Sequence, residues 1–324
     1  MSHARTTIDD EQIARGKHIQ RRTGKTFHVA TRGLPERIRH PTYVLYGFFR
    51  IADEVVDGPE TGTPDQQRAE LERIRAVALG ERPADDPVLA AFADLRVEHD
   101  IPDADVNAFI DAMSMDVDTD RYETDDDLET YMDGSAAAVG RMMTAVMDVD
   151  DPERARPHAS ALGTAFQLTN FLRDVREDVV DHGRVYLPAE TLSTHGASVD
   201  QIRALEFDAN VAAAIRAELR RAERLYEQGV AGIAYLPKDC QFAVLLAAVL
   251  YADHHRLIRA QGYDTVSSRP TLSLHRKLWL AAKTRWRWQW TDDPVAVFDA
   301  VTDGFDRERP AERSRRRPTT LDGD

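Results

Sequence analysis

Residues 46–57 read YGFFRIADEVVD, a run of apolar residues that ends in acids. A second stretch, residues 167–178, reads QLTNFLRDVRED. Each contains two aspartates four residues apart, namely Asp53 with Asp57 and Asp174 with Asp178. On a helix such a pair shares one face, about one turn apart. Because apolar residues surround both pairs, the pattern predicts two helices whose acidic faces point into a cavity rather than into solvent.

Four carboxylates around one cavity require positive charge nearby. At an effective dielectric of about 20, two unit charges roughly 6 Å apart repel by about 3 kcal/mol. Oxygen-rich sites select hard divalent cations, and Mg²⁺ is usually held by one or two carboxylates together with substrate phosphates. Arg50 and Arg173 lie beside the acids and suit bidentate binding of phosphate. The stretches therefore predict a metal-dependent site for a phosphate or diphosphate, with salt-bridged surface helices as the alternative interpretation.

The second stretch holds more than one pair of acids. Its polar residues follow each other at steps of three, four and four, in the order Gln167, Asn170, Asp174 and Asp178. This spacing predicts a continuous polar stripe of about three turns on one helix. The amide of Asn170 adds a neutral oxygen ligand to those of the acids.

The composition excludes several classes of protein. A net charge of −14 and a pI near 5.3 argue against nucleic-acid binding. Only five of the 42 basic residues are lysine, and this excess of acid and arginine leads us to expect a halophilic protein adapted to high salt. The single cysteine, Cys240, excludes an internal disulfide and fits a cytoplasmic location; we expect it to be a core thiol. The amino terminus is polar and does not resemble a signal peptide. The longest apolar run, residues 242–252, is too short to span a bilayer.

The periodicity is helical almost throughout, and no sustained alternating stretch predicts a sheet. We therefore expect an all-α bundle of ten or more helices around a central cavity, formed by one domain over residues 1–305. Residues 306–324 have almost no apolar content, which predicts a disordered tail. The run Asp125-Asp126-Asp127 follows Thr124 and is interpreted as a helix cap rather than as a metal motif.

Several blocks of the sequence together resemble the squalene and phytoene synthase family, whose members are head-to-head prenyl transferases of the all-α isoprenoid synthase fold. The blocks span residues 23–270 and comprise Lys25-Thr26-Phe27, residues 46–59, residues 109–116, residues 131–140, residues 167–188 ending in GRVYLP, and Tyr251 with GYD (262–264) and Arg269. The DEVVDGP and GRVYLP forms are most similar to phytoene synthases. Gly24 and Thr26 stand where many members have serine, which affects the local contact rather than the reaction.

The resemblance implies that two geranylgeranyl diphosphates condense head to head to phytoene through a cyclopropyl diphosphate, with Mg²⁺, or Mn²⁺ in its place, and without a reductant. It implies metal ligands at Asp53, Asp57, Asn170, Asp174 and Asp178. It implies substrate contacts at Lys25, Thr26, Tyr46, Arg50, Gln167, Asn170, Arg173, Tyr251 and Arg269. It implies catalytic roles for Asp53, Asp57, Asp174, Asp178 and Arg50. Aromatic candidates that face the carbocation are Phe27, Tyr46, Phe49, Tyr131 and Tyr251, for which core packing is an equal alternative.

Three other functions stay open at this stage. One is a squalene or dehydrosqualene synthase acting on C15 diphosphates, because spacing does not reveal the depth of the apolar pocket. Another is a terpene cyclase or a chain-elongating prenyltransferase. The last is a non-catalytic relative, which the two complete acidic stretches disfavour.

Two further features have structural interpretations. His254-His255 has no metal-binding partner in the sequence and is expected to be structural or exposed. Trp279, Trp286 and Trp290 share a helical stripe beside arginines, which suits either peripheral membrane contact or packing of a terminal helix. Packing is the favoured interpretation.

Overall fold

The computed structural model describes residue 31, residues 33–58 and residues 61–302. Within these residues there is no strand, and the one β-type contact is an isolated parallel bridge between Arg121 and Val185. The prediction of an all-α fold with ten or more helices is confirmed. The predicted entry residues Lys25, Thr26 and Phe27 lie outside the described residues, as does the predicted tail.

The helices are numbered in chain order within the described part of the chain. They are α1 (Glu36–Asp57), α2 (Pro64–Ala78), α3 (Pro87–Glu98), α4 (Asp103–Met115), α5 (Asp125–Met132), α6 (Ala138–Val146), α7 (Pro152–Arg173), α8 (Val175–His182), α9 (Ala189–Thr194), α10 (Val199–Arg203), α11 (Ala209–Ala231), α12 (Lys238–Ala260), α13 (Leu274–Trp288) and α14 (Pro294–Thr302). A π-helical turn (Asp133–Ala137) joins α5 to α6, and a 3₁₀ turn (Gly232–Tyr235) joins α11 to α12.

Helix α7 lies at the centre of the bundle and packs against α6, α11, α12 and the π-helical turn. Its start is set by Asp151, whose side chain accepts a hydrogen bond from the backbone N–H of Arg154, and by proline at the first helical position. Ala161 and Ala165 are buried on it. Small side chains let the neighbouring helices approach closely, so α7 can be surrounded while its last turn still reaches the cavity.

Helix α1 buries one face and leaves its polar face for the cavity. Phe48 is fully buried and stacks on Phe92 of α3 with ring centroids 3.8 Å apart, and Ala52 and Val56 are buried on the same side. The helix ends at Asp57, where the N–H of Gly58 donates to the carbonyl of Glu54. The apolar spacing of the first stretch therefore fixes which way its acids point.

The expected continuous stripe on the second stretch is wrong in one respect. Helix α7 ends at Arg173, and a separate short helix, α8, begins at Val175. Asp174 lies at the break with φ −103° and ψ 14°. The backbone N–H of Asp178 still donates to the carbonyl of Asp174 at 2.9 Å, so the two acids keep the helical separation despite the break.

Three expectations about individual residues are confirmed. Thr124 forms a capping box with Asp127, so the three consecutive acids decorate a helix start. Cys240 is fully buried, and burial raises the pKa of its thiol to about 12. His255 is also fully buried, with its Nε2 2.9 Å from the hydroxyl of Thr169, so it is structural.

The interpretation of the tryptophan stripe as buried packing is wrong. Trp279, Trp286 and Trp290 are 47%, 54% and 77% exposed, because α13 turns Leu280 and Thr284 toward the core instead. No helix in the described ranges has the length and apolar content needed to cross a bilayer.

The π-helical turn is locked by a glycine. A methyl group placed on Gly134 would lie 2.1 Å from the carbonyl oxygen of Ala108 on α4. Only glycine allows the backbones of the two segments to approach this closely. The contact matters for the cavity because Ser135, the next residue, lines it.

Replacing this glycine tests the packing. We expect Gly134→Ala to lower the free energy of unfolding by about 1–3 kcal/mol, since the backbone of α4 must move to admit the methyl group. Gly62→Ala is the matched control, because the nearest atoms there belong to the flexible side chain of Gln66. Urea unfolding followed by circular dichroism measures both. Equal stabilities of the two variants would contradict the proposed close contact.

Candidate active site

The two acidic stretches line one cavity of about 440 Å³. Helices α1, α4, α7 and α8, the π-helical turn and the segment after α8 enclose it. From the predicted set it takes Tyr46, Arg50, Asp53, Asp57, Gln167, Asn170, Asp174 and Asp178. The sequence-based expectation that the two distant pairs of aspartates face a common space therefore agrees with the structure.

Arginines neutralise most of the acids. The guanidinium of Arg50 contacts Asp53 on the same helix. Asp57 pairs with Arg184 at 2.9 Å. Asp174 receives two arginines, and the Arg269 Nε lies 2.8 Å from its Oδ1 while the Arg173 Nε donates to the same oxygen at 2.7 Å. These pairs hold the carboxylates in place around the cavity.

Asp178 has a different environment. No ion pair joins its carboxylate to any basic residue in the described part of the chain. Burial, followed by the nearby charge of Asp174, raises the pKa of Asp178 to about 8. Burial likewise raises the pKa of Asp53, although Arg50 opposes the shift. Arg173 and Arg184 oppose the rise in the pKa of Asp178 without pairing with its carboxylate. A half-buried carboxylate with a raised pKa and no ion pair of its own is the kind of group that a metal ion would stabilise.

The donor set fits a hard divalent cation. Its groups are carboxylates and one amide, from Asp53, Asp57, Asn170, Asp174 and Asp178, with no thiol or imidazole among them. Among the described residues, no three acidic, histidine or cysteine side chains are close enough to hold an ion by themselves. An arrangement of this kind suits Mg²⁺, which commonly completes its octahedron with substrate phosphates and water.

The cavity has an apolar side as well. Phe49, Phe109, Met113 and Phe171 line it together with Val139. Val139 also lines a second, almost wholly apolar cavity of about 140 Å³ between α6, α7, α11 and α12. The site thus combines charged groups for an anion with an adjoining space suited to a hydrocarbon chain.

Three of the predicted substrate contacts do not line the cavity. Arg173 and Arg269 act on it indirectly, through their pairs with Asp174. Tyr251 stacks on Phe166 with ring centroids 4.7 Å apart, and burial raises the pKa of its hydroxyl. Its placement favours the packing interpretation over direct contact within this cavity.

Arg184 lies in the GRVYLP block but is not among the predicted site residues. Its guanidinium joins Asp57 to the segment after α4, because it also donates to the backbone carbonyl of Asp116 at 2.9 Å. Gly183 ends α8 in the left-handed conformation (φ 67°), and the N–H of Val185 donates to the carbonyl of Asp120. The sequence signal for this role of Arg184 is the pair Gly183-Arg184, in which a glycine that can end a helix precedes an arginine.

The predicted site residues also include only part of a buried cluster of aromatic and acidic side chains. The hydroxyl of Tyr131 donates to Asp116 at 2.9 Å, and the ring of Tyr186 stacks on Phe171 at 3.8 Å. Burial, opposed by Arg184, raises the pKa of Asp116 to about 7. Asp116 lies beyond either acidic stretch, so no spacing rule could associate it with them.

A metal-linked stability measurement tests the role of Asp178. Its raised pKa means that the folded protein keeps a proton that the unfolded chain has released, so stability falls as pH rises from about 4 to about 8. Without metal at pH 8.5, we expect Asp178→Asn to be more stable than the wild type by about 1–3 kcal/mol, allowing for partial solvent screening.

Added Mg²⁺ should reverse this order. It should raise the Tm of the wild type, because an ion that binds only the folded state stabilises it, and should change that of Asp178→Asn much less. Asp94→Asn, at an exposed aspartate outside the cavity, is the control. Identical responses of wild type and Asp178→Asn to metal would argue against a metal-binding role for this residue.

Comparison with known proteins identifies the family. The squalene/phytoene synthase pattern matches residues 20–276. A phytoene synthase from Cereibacter sphaeroides is 36% identical over 270 residues, covering 80% of this chain and 76% of that protein. A 15-cis-phytoene synthase from Synechococcus elongatus is 33% identical over 278 residues, covering 81% and 88%.

Solved structures agree with the sequence relatives. A dehydrosqualene synthase crystallised in complex with ligand superposes with a TM-score of 0.77 at 27% identity, over 87% of this chain and 98% of that one. A squalene synthase from Alicyclobacillus acidocaldarius gives a TM-score of 0.70, also at 27% identity, over 78% and 95%. The chain therefore belongs to the squalene/phytoene synthase family and has its isoprenoid synthase fold.

Proposed function

We propose that the protein is a prenyltransferase that condenses two geranylgeranyl diphosphates head to head to phytoene. A cyclopropyl diphosphate is the intermediate, Mg²⁺ is the cofactor, and no reductant is consumed. The observation that carries the proposal is the single cavity in which both acidic stretches meet beside an apolar space. Such a site can bind a diphosphate at one side and a long isoprenoid at the other.

The relatives favour phytoene over a C30 product. Several relatives that are 30–36% identical over most of the chain are phytoene synthases. The squalene and dehydrosqualene synthases among the similar structures are 27% identical or less. A squalene or dehydrosqualene synthase acting on C15 diphosphates is therefore the second candidate.

The charged residues account for binding and departure of the diphosphate. Bound Mg²⁺ would neutralise diphosphate oxygens and make the diphosphate a better leaving group. Asp53, Asp57 and Asp178, with Asn170 and Asp174, would supply the oxygen ligands. The contact with Asp53 directs Arg50 at the cavity. If a metal ion bound the carboxylate of Asp53, the guanidinium of Arg50 would be available to stabilise the negative charge of the leaving group.

The apolar residues account for protection of the carbocation. Loss of diphosphate leaves an allylic cation, which the double bond of the second substrate attacks. Phe49, Phe171 and Tyr186 present aromatic rings to the cavity, and ring faces stabilise a cation without reacting with it. The same side chains exclude water, which would otherwise add to the cation and give an alcohol.

Product analysis tests the reaction directly. Purified protein with geranylgeranyl diphosphate and Mg²⁺, without NADPH, is expected to give a C40 hydrocarbon that gas or liquid chromatography with mass spectrometry identifies as phytoene. Farnesyl diphosphate should give little product with or without NADPH. Efficient conversion of farnesyl diphosphate to a C30 hydrocarbon, with no C40 product, would select the second candidate.

Removal of one carboxylate tests the site within that reaction. Asp53→Asn should lower kcat by at least about 100-fold, because it removes a ligand of the metal that activates the leaving group. The exposed Asp94→Asn variant should keep wild-type turnover. If Asp53→Asn stays within a few-fold of the wild type, the assignment of Asp53 is wrong.

The apolar cavity should set the length of the chain that fits. Val244 of α12 lines it and is only partly buried by protein. We expect Val244→Phe to lower kcat/KM for geranylgeranyl diphosphate by about tenfold or more, since the added ring occupies space needed by the isoprenoid. Val244→Ala, which enlarges the cavity, should retain C20 activity. Equal losses in both variants would indicate a stability effect instead.

A further inference from the structure

In the described part of the chain, the exposed apolar surface is concentrated on α13 and the residues directly after it. Eight large hydrophobic residues are exposed in the described part of the chain, and six of them lie between residues 274 and 295. They are Leu274, Leu278, Trp279, Trp286, Trp290 and Val295. Scattered exposed hydrophobics need no explanation, whereas a contiguous group on one element indicates a surface that contacts something apolar.

The geometry of α13 separates this surface from the core. Leu280 and Thr284 are fully buried, one turn apart, on the inner face. Leu274, Leu278 and Trp286 follow each other on α13 at multiples of four residues and therefore form a slanted stripe on the outer face, and Trp290 lies in the turn directly after the helix. We call this stripe, with Trp279, the outer face of α13.

The helix is held firmly enough to present that face. Arg276 binds the buried carboxylate of Asp253 on α12, with its Nη2 2.6 Å from Oδ1. Lys283 donates to the backbone carbonyl of Val301 on α14 at 3.1 Å. The outer face is therefore a fixed feature of the fold rather than the side of a frayed terminal helix.

The charge of the helix is opposite to that of the chain. No Asp or Glu occurs between residues 265 and 291, although the protein contains 56 acids and has a net charge of −14. Arg285 and Arg287 are exposed beside the tryptophans. The guanidinium of Arg287 lies 5.1 Å from the Trp286 ring centre, and that of Arg276 lies 4.4 Å from the Trp279 ring centre.

We propose that the outer face of α13 docks the protein onto the surface of an anionic phospholipid bilayer. The tryptophans and leucines would enter the boundary between headgroups and acyl chains, with α13 parallel to the membrane plane. Arg285 and Arg287 would contact lipid phosphates. Tryptophan suits this boundary because its ring is apolar while its N–H remains a donor.

The charge pattern favours a membrane over a second copy of the chain. In a twofold symmetric dimer built on this face, the basic helix of one copy would lie against the basic helix of the other. An anionic lipid surface instead supplies the missing negative charge, worth about a fivefold gain in binding for each Lys or Arg near it. The proposal does not depend on the catalytic activity, so its failure would leave the proposed function untouched.

The protein carries its own reporter for the test. Its four tryptophans all lie between residues 279 and 290, so their fluorescence reports on this helix alone. The full chain is mixed with vesicles of phosphatidylcholine containing phosphatidylglycerol, and with vesicles of phosphatidylcholine only. We expect a blue shift of tryptophan emission and co-sedimentation with the anionic vesicles, and at least tenfold weaker binding to the neutral ones.

Two double variants locate the contact. Trp286→Ser with Trp290→Ser should weaken binding to anionic vesicles by about tenfold or more, while Val97→Ser, at an exposed valine elsewhere, should not.

Arg285→Glu with Arg287→Glu should weaken binding to anionic vesicles by a similar factor. Arg82→Glu with Arg224→Glu makes the same change in net charge at exposed arginines elsewhere and should have less than a twofold effect.

Several results would overturn the proposal. An unchanged emission spectrum with anionic vesicles would do so, as would equal binding to neutral vesicles. Equal losses from the two arginine pairs would show that net charge rather than this face is responsible. Analytical ultracentrifugation that finds a wild-type dimer, converted to monomer by the tryptophan variant, would assign the face to self-association instead.

Discussion

The arrangement of this protein depends on keeping several carboxylates together inside an apolar helical bundle. Like charges at this spacing repel strongly in a medium less polar than water, so the acids must be balanced by groups on other elements. Arginines from α1, α7, the segment after α8 and the segment after α12 supply that balance at Asp53, Asp174 and Asp57. Asp178 is the exception, and its raised pKa marks the position where added positive charge would be most favourable.

The rest of the fold serves to bring these groups to one place. Helix α7 is surrounded by neighbours that approach closely, and α1 is anchored by its phenylalanine face on α3. The break at Asp174 lets the chain turn while preserving a helical hydrogen bond to Asp178. Because the acids lie on helices or at a helix junction that keeps a helical hydrogen bond, their separation does not depend on long loops, which suits a site that must place a leaving group accurately.

Much of this could be predicted from the sequence. The pairs at residues 53 and 57 and at residues 174 and 178 have helical spacing within apolar surroundings, and that local pattern is sufficient to place them on inward faces. That the two acidic stretches face each other is a tertiary property, yet the need to balance the charge of four carboxylates made it a reasonable hypothesis. The single-domain organisation and the adaptation to high salt stay predictions, because the arrangement of the helices measures neither independent folding nor salt tolerance.

The failures have identifiable causes. Asp116 and Arg184 are joined to the site only by long-range contacts, which no periodicity encodes. The exposure of the tryptophan stripe cannot be predicted from its spacing, because a helix wheel shows that residues share a face but not which face meets the core. The break after Arg173 could not be predicted because the residues on both sides have helical propensity; in the structure, Asp174 at the break contacts two arginines.

The position of Arg184 depends on main-chain groups as well as on its ion pair with Asp57. The amide of Val185 is bonded to the carbonyl of Asp120, and the arginine itself holds the carbonyl of Asp116. Asp118 and Asp120 form ion pairs of their own with Arg68 and Arg203, but a substitution in residues 117–121 that keeps the backbone in place leaves these main-chain bonds intact. Gain or loss of a single residue there would shift the register and withdraw the guanidinium from Asp57. Length, more than composition, is the property that this connection must conserve as the sequence diverges.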